Sequence, residues 1–151
     1  MKGRVDMNIQ FTPYVLLNGK ANEAVDFYAK VFDAEIETRE VLKDWPQEFD
    51  GKVPEGYENN VMHAHLNIGN SQLMLADLLP GQFQQPGTTV TILIDVKEVA
   101  DAKRIFTALL TGGKETMALQ ETSFSPAMGQ VNDKFGVEWQ IITEHPDMRK
   151  E

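Results

Sequence analysis

The chain contains no cysteine. That excludes disulfides, thiolate metal ligands and cysteine nucleophiles at once, and it fits a cytoplasmic protein. Basic residues are also scarce. Fourteen Lys and Arg stand against 23 Asp and Glu, a formal net charge of −9, with no Lys/Arg cluster anywhere along the chain. A surface this acidic repels phosphate backbones, which argues against nucleic-acid partners. No apolar run approaches the roughly 20 residues of a membrane span, which argues against a membrane partner. The opening residues Met1 to Asp6 carry no apolar core of the kind a signal peptide needs.

What the chain does have is core material. Apolar residues make up 42% of its 151 positions, enough for one compact domain or two fused small modules. Residues Ile9 to Leu17 read as a strand interrupted by Pro13, which cannot donate to a ladder and marks an edge or a bulge. Ala21 to Phe32 places Ala24, Phe27, Tyr28, Val31 and Phe32 on one helical stripe, with Asn22 as a candidate N-cap. Ala34 to Leu42 alternates as a half-exposed strand, with Ile36 and Thr38 on one face. Val61 to Ile68 alternates again, Met62, Ala64, Leu66 and Ile68 against His63, His65 and Asn67. Gly69-Asn70 then turns the chain into Ser71 to Asp77. Between these strands, Lys43 to Asn60 is a long aperiodic loop with five carboxylates and Trp45, Phe49 and Tyr57, the composition of a mobile loop or of a lid.

The pattern then restarts. Thr88 to Ile94 is rich in β-branched residues. Asp95-Val96-Lys97-Glu98 has the spacing of a capping box, with Asp95 at the cap. A second apolar helical stripe runs from Val99 to Leu110 and ends at Gly112-Gly113. Lys114 to Gln120, Phe124 to Asn132 and Val137 to Thr143 read as three more strands. A shift of 78 positions lays Ala24, Phe27, Tyr28, Val31 and Phe32 on Ala102, Ile105, Phe106, Leu109 and Leu110, and every pair is apolar. Shared element order, helix register and spacing together indicate an internal repeat.

The expected organisation is a tail at 1–8, a first βαβββ module at 9–78, a linker at 79–87, a second module at 88–144 and a tail at 145–151. A four-stranded sheet with a helix on one face leaves its other face needing cover or a ligand. The expected fold is therefore α+β, with two βαβββ modules forming a curved, mixed eight-stranded sheet and the helices on its outer face. Its concave side would be a cavity, and cavities between repeated units are common small-molecule sites.

Several short motifs carry a resemblance. Phe27-Tyr28, Asp33 after Val31-Phe32, Val61-Met62-His63-Ala64-His65-Leu66 followed by Gly69, Gly113-Lys114, Leu119-Gln120-Glu121-Thr122 and Asp133-Lys134-Phe135-Gly136-Val137-Glu138-Trp139 fall in order. From about Phe11 to Ile142 the chain resembles the PhnB-like branch of the vicinal oxygen chelate (glyoxalase/bleomycin resistance/dioxygenase) superfamily. The resemblance implies a fold, a homodimer and a small-molecule cavity, but not a reaction. Some PhnB-like sequences are labelled as a ubiquinone-pathway methyltransferase, yet this chain has no Gly-rich strand–turn–helix for S-adenosylmethionine.

Metal-dependent members of the superfamily carry His or Gln on the first strand of each module and Glu on the last. Carried over by register, the last strands of this chain offer Met74 and Gln140, and the first strands offer Thr12 to Tyr14 and Thr89 to Thr91. None is His, Asp or Glu, the ligands a hard or borderline divalent ion prefers. No metal cofactor is expected, and His63 and His65, two apart on one strand face, are the only pair that could hold one. Either histidine is also a candidate general acid or base, whereas His145 reads as solvated.

Glu138 shares a strand face with Gln140, and Trp139 points oppositely, toward the helix. Phe124 and Met128 stand where related sequences often carry Trp and Tyr. The expected cavity residues are thus His63, His65, Met74, Gln140, Glu138, Phe124 and Met128. The reading that follows is a metal-free small-molecule-binding protein. The alternative is a metal-dependent or metal-free enzyme of lyase, isomerase or oxygenase type using His63 or His65.

Overall fold

The structure, a computed structural model, describes residues 7–144. Met1 to Asp6 and His145 lie outside the described residues. Two βαβββ units follow one another. The first comprises β1 (Tyr14–Leu17), α1 (Ala21–Phe32), β2 (Glu35–Val41), β3 (Val61–Ile68) and β4 (Ser71–Asp77). The second comprises β5 (Ile92–Asp95), α2 (Val99–Leu110), β6 (Lys114–Gln120), β7 (Ala127–Asn132) and β8 (Glu138–Thr143). Both helices have 12 residues and are 78 positions apart, as the repeat requires.

The eight strands hydrogen-bond as two four-stranded mixed sheets, ordered β1-β4-β3-β2 and β5-β8-β7-β6. In each, the first strand of the unit lies parallel to the last and the remaining pairs are antiparallel. The expected single eight-stranded sheet is therefore divided, with β1 and β5 as separate edges. The helices lie on the face of each sheet opposite its open face, as expected, and they also pack on each other. Both units contribute to one core, in which Ala24, Tyr28, Val31, Ala102, Phe106 and Leu109 are buried together with Leu66, Leu75, Trp139 and Ile141. The cause is aromatic. Tyr28 and Phe32 of α1 pack on Trp139 of β8, with ring centroids 5.4 and 5.3 Å apart. Phe27 and Tyr28 pack edge-on against Phe135. Burying such rings is worth roughly 1.5–3 kcal/mol each, which draws the helix-bearing sides of both sheets together.

Polar groups lock this arrangement. The Tyr28 hydroxyl donates to the Asp133 carboxylate, which also accepts from the Trp139 indole at 2.8 Å and from the Phe135 and Val137 backbone N–H groups at 2.9 and 3.0 Å. Asp77, at the end of β4, accepts from the N–H groups of Gly19, Ala21 and Val61 at 2.7, 3.0 and 2.8 Å. Asp77 is thus the side chain that satisfies the start of α1, a role the sequence suggested for Asn22. Asn22 instead donates to the Asn59 carbonyl.

Other local expectations change for identifiable reasons. Asp95 does not cap α2, because parallel pairing of β5 with Ile142 of β8 continues through it. The helix opens at Glu98 without a side-chain cap bond. Pro13 confines β1 to Tyr14–Leu17, although the Pro13 carbonyl still accepts from Met74. A bulge at Glu37 breaks the alternation of β2. Ile36 pairs with Leu66 while Thr38 pairs with His65, so the two do not share a face.

Candidate functional site

Alternation sorts each sheet into a core face and an open face. On β3, Ala64 and Leu66 are fully buried in the core, which turns His63 and His65 to the open side. His65 pairs with Met74 on β4, and Met74 pairs with Tyr14 on β1, so these three side chains form one row across the first sheet. The Tyr14 hydroxyl lies 3.0 Å from His63 Nδ1, and burial raises the Tyr14 phenol above its ordinary value. The His63 and His65 rings are 6.5 Å apart, edge to face. The bulge brings Glu37 to the same side, where it accepts from Asn67 at 2.7 Å and stands 4.0 Å from His65 Nδ1. His65 Nε2 and Thr38 Oγ1 are buried without a hydrogen-bond partner.

The second sheet repeats the scheme. Trp139 and Ile141 face the core, while Glu138, Gln140 and Ile142 face the open side. Gln140 pairs with Leu93 on one side and Gln130 on the other, and Met128 pairs with Ile142. Phe124 precedes β7 and is exposed. The expected site residues therefore form two groups within the chain. His63, His65 and Met74 are neighbours on the first sheet, and Glu138, Gln140 and Met128 are neighbours on the second.

A cavity of about 390 Å³ lies between the modules. Its walls are the β1 and β5 edges, the linker and the turn before β8, including Leu16, Phe83, Val90, Ile92, Phe135 and Val137. Tyr14 lines it from the first module and Glu138 from the second. His63 reaches this wall through its bond to Tyr14. The expected residues His65, Met74, Gln140, Phe124 and Met128 do not line it, and neither does any residue of the 43–60 loop. Sequence reasoning missed the linker as a wall. Its prolines, glycines and glutamines read as a spacer, and only Phe83 hinted at an apolar surface.

The register also places the strand positions at which the superfamily holds metal. Tyr14 stands beside Met74 and Leu93 beside Gln140, whereas Thr89 to Thr91 precede β5. Phenol, thioether and aliphatic groups do not suit a hard or borderline divalent cation, and Gln140 alone brings it neither a carboxylate nor an imidazole. Among the described residues, no three His, Cys, Asp or Glu side chains group as a metal site.

The comparisons agree with this architecture. The sequence profile of the 3-demethylubiquinone-9 3-methyltransferase family matches residues 9–142. The chain belongs to this PhnB-like family of the vicinal oxygen chelate superfamily. Protein YjdN of Escherichia coli is 31% identical over 137 residues, covering 86% of this chain and 92% of YjdN. The crystal structure of PA1353 from Pseudomonas aeruginosa superposes with a TM-score of 0.81 at 30% identity, over 91% of this chain and 98% of that one. The PhnB protein from Bacillus cereus gives 0.75 at 25% identity, over 89% and 99%.

Family membership and fold support a small-molecule-binding protein whose ligand is unknown. The β1–α1 connection holds a single glycine, Gly19, and the β5–α2 connection holds none, unlike the glycine-rich turn of a dinucleotide-binding fold. No helix among the described residues is long and apolar enough to cross a membrane.

Proposed function

We propose that this PhnB-like protein binds a small amphipathic molecule in the cavity between its modules, without the usual superfamily metal, as a cytoplasmic homodimer. The observation that carries the reading is the cavity itself. Its volume of about 390 Å³ falls within the range of ligand sites, and its walls are mostly apolar with a few polar groups, as such sites are. The tyrosine, thioether and amide at the superfamily's ligand positions support binding without metal. A second copy is supported by the superfamily's frequent dimers and by Phe11 and Leu93, apolar side chains left exposed near the β1 and β5 edges and outside the cavity wall.

The test is a ligand screen by thermal shift, followed by titration calorimetry of the hits on the wild type and on Val90→Trp. Val90 is an exposed residue just before β5 on the cavity wall, so added bulk there obstructs the cavity without disturbing the core. Ligands are expected to stabilise the wild type and to lose affinity at least about tenfold in the variant. Hits that bind the variant equally well would remove the cavity from the reading. A near-stoichiometric transition metal in protein purified without chelators would overturn the metal-free part.

A second reading, an enzyme using histidine chemistry, is favoured by the Tyr14–His63 bond and by Glu37 near His65. A positioned imidazole backed by a phenol or a carboxylate is the arrangement of a general base. It predicts turnover that His63→Gln abolishes, whereas pure binding predicts only altered affinity.

A further inference from the structure

Among the described residues, Glu138 is the sole charged residue on the cavity wall, and it takes part in no ion pair with any of them. Its Oε2 accepts from Asn132 Nδ2 at 2.9 Å, which fixes the carboxylate at the wall. Lys134, in the adjoining smaller cavity, is already paired with Glu23 at 3.1 Å. Lys114 lies two strands away, across Asn132, at the far end of the row. The other polar wall groups are neutral: the Tyr14 phenol and the Gln84 and Gln85 amides. Gln84 is itself held by its bond to the Leu16 carbonyl at 3.2 Å.

A half-buried carboxylate facing an apolar cavity is poorly solvated and gains from a cationic partner. Tyr14 and Phe83 supply aromatic walls, which attract cations through their ring faces, whereas the Phe135 ring already holds the Lys134 ammonium 5.4 Å from its centroid. The chain's net charge of −9 raises the local concentration of cations and lowers that of anions. These features select against a carboxylate, phosphate or sulfonate ligand.

We infer that the cavity takes amphipathic cations, an aryl or alkyl body bearing an ammonium or amidinium group, with Glu138 as the residue that sets this preference. The inference rests on the binding reading above and narrows it to a ligand class. The body would lie against Phe83, Val90 and Ile92, and the cationic head would pair with the Glu138 carboxylate.

The experiment uses three probes of equal body and different head: 2-naphthylmethylammonium, 2-naphthylmethanol and 2-naphthoate. Each is titrated calorimetrically into the full-length wild type, Glu138→Gln and Val90→Trp, at low and moderate salt. The cation is expected to bind the wild type about tenfold more tightly than the alcohol, with the anion weakest. In Glu138→Gln, which keeps the side-chain shape and an acceptor for Asn132, that preference should fall to within about threefold, with alcohol binding unchanged. Equal binding of cation and alcohol by the wild type, or a preference that survives Glu138→Gln, would overturn the ligand class while leaving the cavity reading intact. If no probe binds, or if Val90→Trp changes no titration, the binding reading falls and the class with it.

Discussion

The Tyr28 hydroxyl, on the helix of the first module, donates its hydrogen bond to the Asp133 carboxylate in the β7–β8 turn of the second, 105 residues away. Both groups are buried, and the bond joins two units that share no strand pairing. Asp133 otherwise satisfies groups of its own module, namely the Phe135 and Val137 N–H groups and the Trp139 indole. Tyr28 is therefore the contact through which a local turn becomes an inter-module tie.

Replacing Tyr28 by Phe keeps the ring packing and removes only this donor. The expected loss is about 1.5–3 kcal/mol, the range for a hydrogen bond to a charged group, measured by urea denaturation. Asp133→Ala should lose more, because it strands three further donors. A Tyr28→Phe variant within about 0.5 kcal/mol of the wild type, the scatter of neutral substitutions, would show that this hydrogen bond adds nothing measurable to the joining of the modules.

The same bond predicts a pH dependence. Burial, and then the charge and hydrogen bond of Asp133, hold the Tyr28 phenol far above its ordinary value of 10.0. The unfolded chain therefore loses the Tyr28 proton at lower pH than the folded chain does. Stability from this group is fully present below pH 10 and declines as pH rises above it. Tyr28→Phe should show a shallower decline between pH 9 and 11. An identical slope in the two proteins would assign the alkaline loss to other groups.

Asp77 holds three backbone donors at the meeting of β1, α1 and β3. Asp77→Ala leaves them without this acceptor and is expected to cost about 3 kcal/mol or more. Hydrogen exchange should accelerate most at Ala21 and Val61. Acceleration spread evenly over the chain would mean that the effect is global, without any special role in starting α1.

Gly129 lies where β7 passes under α2. A Cβ there would stand 2.8 Å from the Phe106 ring and 2.9 Å from the Leu119 Cα. Gly129→Ala should destabilise by about 1–3 kcal/mol, since the Leu119 backbone has little room to yield. Phe106→Leu, made with it, should recover part of the loss. Additive effects of the two changes would place the strain at the Leu119 backbone instead.

Much of the fold was legible because it follows from local periodicity. The helical stripe over Ala21 to Phe32 and the β3–β4 hairpin around Gly69-Asn70 stand where the pattern put them. The direction of Trp139 followed from alternation alone. The departures are places where a distant group overrides a local signal. Asp95 carries a capping pattern, but pairing with β8 keeps it in a strand. Asn22 has cap chemistry, but Asp77 arrives from β4 to do the work. The bulge at Glu37 has no signature in a run of alternating residues, because it depends on which β3 residue each β2 residue meets.

The candidate site divides in the same way. Residue type and alternation determine that His63 and His65 share a face, that Glu138 and Gln140 share another, and that cysteine chemistry is excluded. They also determine the repeat. Which of those residues meet a common cavity is decided by the packing of Tyr28 and Phe32 on Trp139. That packing turns the two sheets so that the β1 and β5 edges face the linker across an open volume. Periodicity reports the face of a strand, which is local. It carries no information about how two sheets are placed when side chains 105 or more residues apart bury one another, and that placement puts Tyr14 and Glu138 on the walls of one cavity.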